Sequence, residues 1–289
     1  MELKRGDKIG IIALAGVCNR DKLVKARECF EKLGFIVEFS KNIYDENAYL
    51  AGSDEDKVSE LHRFFRDSSI KLIMNARGGY GSIRLLDKID YELIKNNPKP
   101  FCGYSDITAL LLMIYKKTCL ETYHSPMALS GFSEEEQKNY NYENFVKALS
   151  GGKYVLDGSK TYRNGSAEGI IWGGNLSTVV SLCGLDFIPD EDFIFFAEDL
   201  NEPVYKIDKM FQQLFNIEKF KRNCKGIVLG DFLKPDNEDW LEKYFYELAE
   251  RYLLPVFGGF NITHLPQKVT IPIGRKSILD NCTLVIHSS

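Results

Sequence analysis

Apolar and polar positions along the first half of the chain switch between two periods, and the switching predicts strands alternating with helices. Lys8–Ala13 is a nearly unbroken apolar run of strand length. Asp21–Leu33 then sets Leu23, Ala26, Phe30 and Leu33 at helical spacing, with Gly34 placed to close the helix. Phe35–Phe39 reads as a second strand. Ser53, with Asp56 three residues on, marks the capped start of a helix carrying Val58, Leu61 and Phe65. Ile70–Ala76 is a third strand that stops abruptly at Arg77-Gly78-Gly79-Tyr80-Gly81, and Ser82–Asp87 resumes as helix. Pro100–Gly103, Asp106–Tyr115 and Leu120–Tyr123 continue as strand, strongly apolar helix and strand. This succession predicts an α/β fold with a mostly parallel sheet covered on both faces.

The pattern then changes. Residues 130–165 hold Glu134-Glu135-Glu136, Asn139-Tyr140-Asn141-Tyr142 and several glycines with little strand periodicity. They are expected to form a partly helical link, residues 131–165, between a first domain at 1–130 and a second at 166–289. In the second, helices are expected over Asn175–Cys183, Tyr205–Phe215 and Glu238–Tyr252. Strands are expected near Phe193–Ala197, Gly226–Leu229, Pro255–Phe257, Val269–Ile271 and Thr283–Ile286.

Composition narrows the classes. The 289 residues are 44% hydrophobic and 27% charged, the balance of a globular protein with a sizeable core. A net charge of -4 gives no reason to expect nucleic acid or an anionic membrane as partner. Seven cysteines without CxxC or CxH spacing fit neither a disulfide framework nor a zinc site, and a reducing cytosol is the simplest compartment. Lys4, Arg5 and Lys8 precede the apolar run Ile9–Val17 and Cys18, which superficially suggests a lipoprotein leader. The run is short, and Val17 stands where a small residue should precede the cysteine, so a buried first strand is expected instead. No other apolar run approaches the ~20 residues that cross a bilayer.

Two segments put unusual residues where open parallel sheets bind ligands, at the carboxyl ends of strands. In Phe101-Cys102-Gly103-Tyr104-Ser105-Asp106-Ile107-Thr108 a strand turns sharply into a helix with Ser105 at the apex. Ser105 could be a nucleophile over the free N–H groups of the helix start, or it could simply cap that helix. The run Arg77–Gly81 could cradle a phosphate, complete an oxyanion hole or merely turn tightly; it matches neither GxGxxG nor the phosphate loop. Among the histidines, His62 and His287 look solvated, whereas His124 and His264 follow strands. Glu198 ends another strand and could orient a base.

Taken together, Ala76–Ser82, Gly103–Leu110, His124–Met127, Trp172–Ser177 and Ala197-Glu198-Asp199 with Glu202, Tyr205 and Asp208 resemble the LD-carboxypeptidase family. Gly226–Phe232 and His264 with Thr270–Gly274 extend the resemblance over nearly the whole chain. It implies a Rossmann-like N-terminal domain joined to a smaller α/β C-terminal domain, and a serine peptidase. Ser105 would be the nucleophile, Glu198 the acid and His264 the base, with the N–H groups of Gly79 and Asp106 as oxyanion hole. It further implies a cytoplasmic homodimer, free of metal and cofactor, that releases terminal D-alanine from murein tetrapeptides. An exopeptidase must hold a free carboxylate, which makes Arg77 and its neighbour Tyr80 substrate-binding candidates. Ser125, Thr263 and Leu265 stand where the family usually has glycine, and Lys209 replaces an arginine, so a stiffer loop is expected around His264. The alternatives are a relative of the microcin C self-immunity peptidases, which cut peptidyl or aminoacyl nucleotides, and a non-catalytic binding relative.

Overall fold

The computed structural model describes residues 3–133 and 138–289. The acidic run Glu134-Glu135-Glu136 lies outside them. The chain divides into two compact units, one of residues 1–151 with 266–272 and the other of 152–265 with 273–289.

In the first unit β1 (Lys8–Ile12), α1 (Arg20–Lys32), β2 (Ile36–Phe39), α2 (Asp54–Arg66) and β3 (Ile70–Asn75) succeed one another. Then come α3 (Tyr91–Asn96), β4 (Phe101–Gly103), α4 (Thr108–Thr118), β5 (Thr122–His124) and α5 (Lys138–Leu149). Local chemistry sets the helix starts. The Asn19 side chain accepts from Lys22 N–H, and Ser53 accepts from Asp56 N–H while donating to its carboxylate, so N–H groups without helical partners are satisfied. The α1 face carrying Leu23, Ala26 and Phe30 is buried with Ile9, Ile11, Leu72, Met74, Phe132 and Phe145 in one core. The N-terminal apolar run is thus a buried strand in its first part.

The strands stand in the order β2-β1-β3-β4-β5, and each neighbouring pair among them is parallel. This doubly wound order of the flavodoxin kind reverses direction between β1 and β3, and such switch points open a crevice at the strands' carboxyl ends. Arg77–Gly81 leaves β3 at that point, and Gly16 N–H donates to Gly78 O across it. A further strand, β12 (Ile271–Ile273), extends the sheet beyond β5. The strand expected at Val269–Ile271 therefore falls two residues later and pairs in the first sheet.

The helix expected at Ser82–Asp87 is only a 3-10 turn, Ser82–Leu85. It starts from Gly81 at φ 130°, and the Ser82 N–H and hydroxyl are committed to Asp106 rather than to a helix. The short α3, capped by Asp90, has no apolar stripe long enough to signal it in sequence.

The second unit holds β6 (Tyr154–Asp157), β7 (Lys160–Arg163), β8 (Ser166–Asn175), α6 (Leu176–Ser181), β9 (Phe193–Leu200), α7 (Val204–Phe215), α8 (Glu218–Asn223) and β10 (Cys224–Leu233). After α9 (Glu238–Tyr252) and β11 (Val256–Gly258) it ends in β13 (Lys276–Asp280) and β14 (Thr283–Ile286). Its sheet runs β6-β14-β13-β8-β9-β10-β11-β7. The central β8, β9, β10 and β11 are parallel, while β13, β14, β6 and β7 pair antiparallel at the flanks. Residues 131–165 thus carry α5 of the first unit and two strands of the second. Both are four-residue edge strands with exposed positions, β7 having no buried residue, and are too short to stand out as apolar runs. Trp172, Phe187, Phe193, Phe195 and Phe220 build an aromatic core with ring centroids 5.1–6.4 Å apart.

Candidate active site

In the first unit Ser105 sits immediately after β4 at φ 60°, a left-handed conformation rare for a residue with a Cβ. It opens a 3-10 turn, Ser105–Ile107, that runs into α4. The capping alternative finds no support: Tyr104 precedes the turn, Ile107 precedes α4, and neither start carries a side-chain cap. A strained residue at a strand-to-helix turn is the arrangement that exposes a nucleophile above N–H groups lacking helical acceptors.

The glycine turn faces this serine. A Cβ built on Gly78 would lie 3.2 Å from Ser105 Cβ and 3.4 Å from both Ser105 Oγ and Asp106 N. A side chain there would be a tight fit, and glycine lets the turn approach the serine through its backbone. Gly79 continues at φ 115°. Asp106 fastens the far end of the turn: its carboxylate accepts from Ser82 N–H at 2.9 Å, and its carbonyl accepts from the Ser82 hydroxyl. Burial pushes the Asp106 carboxyl above its ordinary value, and the donors of Ser82 and Gly81 and the charge of Lys57 pull it back.

Arg77, a candidate for binding a substrate carboxylate, gives two of its guanidinium donors to the backbone. Nε donates to Gly78 O at 3.1 Å and Nη1 to Val17 O at 3.0 Å, bracing the glycine turn against the loop after β1. Tyr80 is exposed and packs at a tilt of 57° against the exposed Tyr49, with centroids 5.8 Å apart. His124 is buried with its ring 5.9 Å from Tyr104. Cys102 lies wholly buried within β4, and burial raises its thiol far above the ordinary value, which removes it as a nucleophile.

In the second unit Glu198 and His264 meet. Nδ1 of His264 lies 2.5 Å from Oε2 of Glu198, which is fully buried at the carboxyl end of β9. A carboxylate only accepts, so Nδ1 carries the proton and the ring's lone pair lies on Nε2. Oε1 of Glu198 has no hydrogen-bond partner among the described residues. The register of β8 and β9 sets Asn175 opposite Glu198. Asp199, on the other face of β9, accepts from Asn175 Nδ2, Ser177 N–H and Leu200 N–H at 2.8–3.0 Å, tying β9 to the start of α6. Burial raises the Asp199 carboxyl, and the N–H donors of Leu200 and Ser177 offset it.

The loop carrying His264 is anchored just before it. Ile262 O accepts from Asp231 N–H at 2.9 Å, and any side chain at Gly230 would overlap the Ile262 carbonyl. Thr263 and Leu265 are not among the residues with positive φ, and the buried Thr263 hydroxyl accepts from Leu265 N–H at 3.0 Å. The threonine thus closes a local turn that a glycine could not close with a side chain.

Gly78, Ser82 and Lys57 went unnoticed as individuals in the sequence. Lys57 had a signal: with Leu61, Phe64 and Phe65 it completes the i, i+4, i+7, i+8 stripe of the α2 face, and it is wholly buried. Among the described residues no group of three or more His, Cys, Asp or Glu side chains is arranged to hold a metal ion. None of their helices is long and apolar enough to cross a membrane.

Comparison with known proteins agrees with this layout. Residues 9–125 match the LD-carboxypeptidase N-terminal domain, and residues 168–279 match the LD-carboxypeptidase C-terminal domain. A probable murein peptide carboxypeptidase of Bacillus subtilis is 32% identical, the match covering 99% of this chain and 93% of that protein. The crystal structure of an MccF-like protein from Bacillus anthracis superposes with a TM-score of 0.91 at 29% identity, covering 100% of this chain and 98% of the other. That of a muramoyltetrapeptide carboxypeptidase from Oxalobacter formigenes gives 0.89 at 25% identity, covering 97% and 99%.

Proposed function

The chain belongs to the LD-carboxypeptidase family of serine peptidases, and from that premise we propose that it hydrolyses the amide joining the L-centre of a diamino acid to a terminal D-alanine in murein tetrapeptide. The observation that carries the reading is the contact of His264 Nδ1 with Glu198 Oε2 at 2.5 Å, which leaves Nε2 as the basic atom.

Ser105 Oγ attacks the scissile carbonyl carbon and gives its proton to His264 Nε2. Glu198 holds the ring in its tautomer and stabilises the imidazolium. The N–H groups of Gly79 and Asp106 receive the oxyanion of the tetrahedral intermediate; losing one such donor typically costs about 10²–10³ in rate. As the intermediate collapses the C–N bond breaks, and His264 returns its proton to the departing D-alanine amine. Water then attacks the Ser105 ester, again losing a proton to His264, and Ser105 leaves as the free hydroxyl. The products are D-alanine and the shortened peptide, with one water consumed. A cytoplasmic site of action and a homodimer belong to the same reading. Arg77 bonds to two backbone carbonyls through Nε and Nη1 and so braces the turn, and its Nη2 donors are the ones proposed for the substrate carboxylate.

A second reading comes from the likeness to the MccF-like protein, MccF of Escherichia coli being a microcin C7 self-immunity protein. On that reading an aminoacyl nucleotide is cut. Trp172 speaks against a large stacking platform from this segment, since it is fully buried in the aromatic core. The test is incubation with murein tetrapeptide and assay of released D-alanine, with Ser105→Ala as control. Release by the wild type alone supports the proposal. Cleavage of an aminoacyl sulfamoyl adenosine but not of tetrapeptide supports the second reading, and binding without turnover of either removes both.

A further inference from the structure

The chain leaves His264 through a short strap that one asparagine side chain holds. Asn141 of α5 is wholly buried, and its carboxamide is committed to backbone in two other segments. Nδ2 donates to Gly131 O at 2.9 Å and to Pro266 O at 3.0 Å, while Oδ1 accepts from Lys268 N–H at 2.9 Å. Between β11 and β12 the described residues form no strand or helix. A carbonyl at 266 and an N–H at 268 are the two groups that residue 267 would present to a parallel neighbour, so the carboxamide stands in for a missing strand. An apolar side chain could be buried at this position of α5 without needing partners, whereas a buried carboxamide is costly unless it is bonded.

The same strap reaches the residue before Ser105. Lys268 is buried, and its ammonium lies over the Tyr104 ring, 4.0 Å from the centroid, a contact that strengthens away from water. Tyr104 is held in turn, its hydroxyl donating to Ser130 Oγ at 3.3 Å and its ring 5.9 Å from that of His124. Asn141, Tyr104 and residues 266–268 all belong to the first unit. Upstream, the loop is pinned within the second unit, where Ile262 O accepts from Asp231 N–H. Residues 263–265 lie between the two pins, with His264 in the middle. Two residues of extended chain span at most about 7 Å, so a fixed Pro266 carbonyl restricts where the His264 backbone can stand.

We infer that Asn141 is a positioning residue for His264: by holding the backbone of 266–268, with Lys268 seated on Tyr104, it fixes the chain on the downstream side of the base. The catalytic consequence rests on the peptidase reading, in which His264 serves Ser105, whereas the staple itself stands on distances within the first unit.

The experiment compares wild type, Asn141→Ala, His264→Ala and the double variant. D-alanine release is followed, together with hydrogen exchange of the Lys268 amide and the His264 ring signals by NMR. For Asn141→Ala, kcat falls by about 10–100-fold with KM within about threefold, as expected when a base is displaced rather than removed. The double variant is no slower than His264→Ala alone, because Asn141 acts through that ring. In Asn141→Ala the Lys268 amide exchanges faster while those of β1 do not, and the His264 signals move while those of His62 and His287 stay. Unchanged kcat with a lowered melting temperature, a further loss in the double variant, or unmoved His264 signals each overturn the inference. If Asn141→Ala does not fold, Asn141→Ser is read by the same criteria; if neither folds, loop-like exchange of the wild-type Lys268 amide overturns it and strong protection sustains it. Should wild type release no D-alanine, the peptidase reading fails by itself, and amide exchange with the ring signals decides on the staple.

Discussion

His264 and Glu198 stand 66 positions apart in sequence and share a hydrogen bond of 2.5 Å, Nδ1 to Oε2. The carboxylate lies at the carboxyl end of β9 with its side chain fully buried, so its one described partner is the ring it orients. Glu198→Gln keeps the shape and removes the charge. Its amide can present N–H to Nδ1 and favour the wrong tautomer. We expect kcat to fall by about 10³–10⁴-fold with KM little changed. A loss below tenfold in steady-state kinetics would remove Glu198 from the mechanism.

Gly78→Ala tests the contact between the glycine turn and the serine. The added methyl would meet Ser105 Cβ at 3.2 Å, closer than side chains ordinarily pack, and must push the serine or the turn aside. The shift needed is a few tenths of an ångström, and since a shift of about 1 Å at a reacting atom costs on the order of 10²-fold, kcat/KM should drop by several-fold to about tenfold while the fold survives. Activity within twofold of wild type would mean that the turn and Ser105 yield without consequence.

Gly173 concerns stability instead. It lies in β8 at φ 148°, and a Cβ there would overlap the Phe196 carbonyl on β9. Gly173→Ala must separate two central parallel strands whose register also sets Asn175 against Glu198. A loss of about 3 kcal/mol or more in denaturant unfolding is expected, with a broken strand contact as the cause. Gly184→Ala, where nothing lies within 4 Å of the added Cβ though φ is 108°, should cost much less.

The His62 ring accepts from Asp90 N–H at 2.9 Å, a bond that only the neutral ring can make. Burial lowers its pKa from the ordinary 6.5, aided by Arg66 and opposed by Asp90. The folded protein therefore takes up this proton at lower pH than the unfolded chain. Its stabilising contribution is complete above 6.5 and is lost as pH falls through the folded value. Melting temperatures between pH 8 and 5 should drop more steeply for wild type than for His62→Gln, which keeps an acceptor and does not titrate. Parallel curves would show that His62 does not couple folding to pH here.

Periodicity located most elements of the chain because burial on one face leaves a repeat of 3.6 or 2 in the letters. Glu238–Tyr252 and Thr283–Ile286 match the structure at both ends. Periodicity missed what lacked a repeat: the short α3, the wet edge strands β6 and β7, and β13, whose alternation spans five residues. It also mistook Ser82–Asp87 for helix, since Asp106 captures the Ser82 amide that would have begun one.

The sequence by itself determined the α/β class, the strand ends bearing Ser105, Glu198 and His264, and the family, since each depends on local spacing or on ordered motifs. Only the tertiary structure decided which of these letters meet. Strand order put the glycine turn of β3 at the switch point beside β1 and against the serine after β4, and no local pattern encodes sheet order. Burial then placed the charges: Lys57 is enclosed with its Nζ against Gly81, and the Asp106 carboxylate accepts the Ser82 amide, contacts that no local spacing encodes.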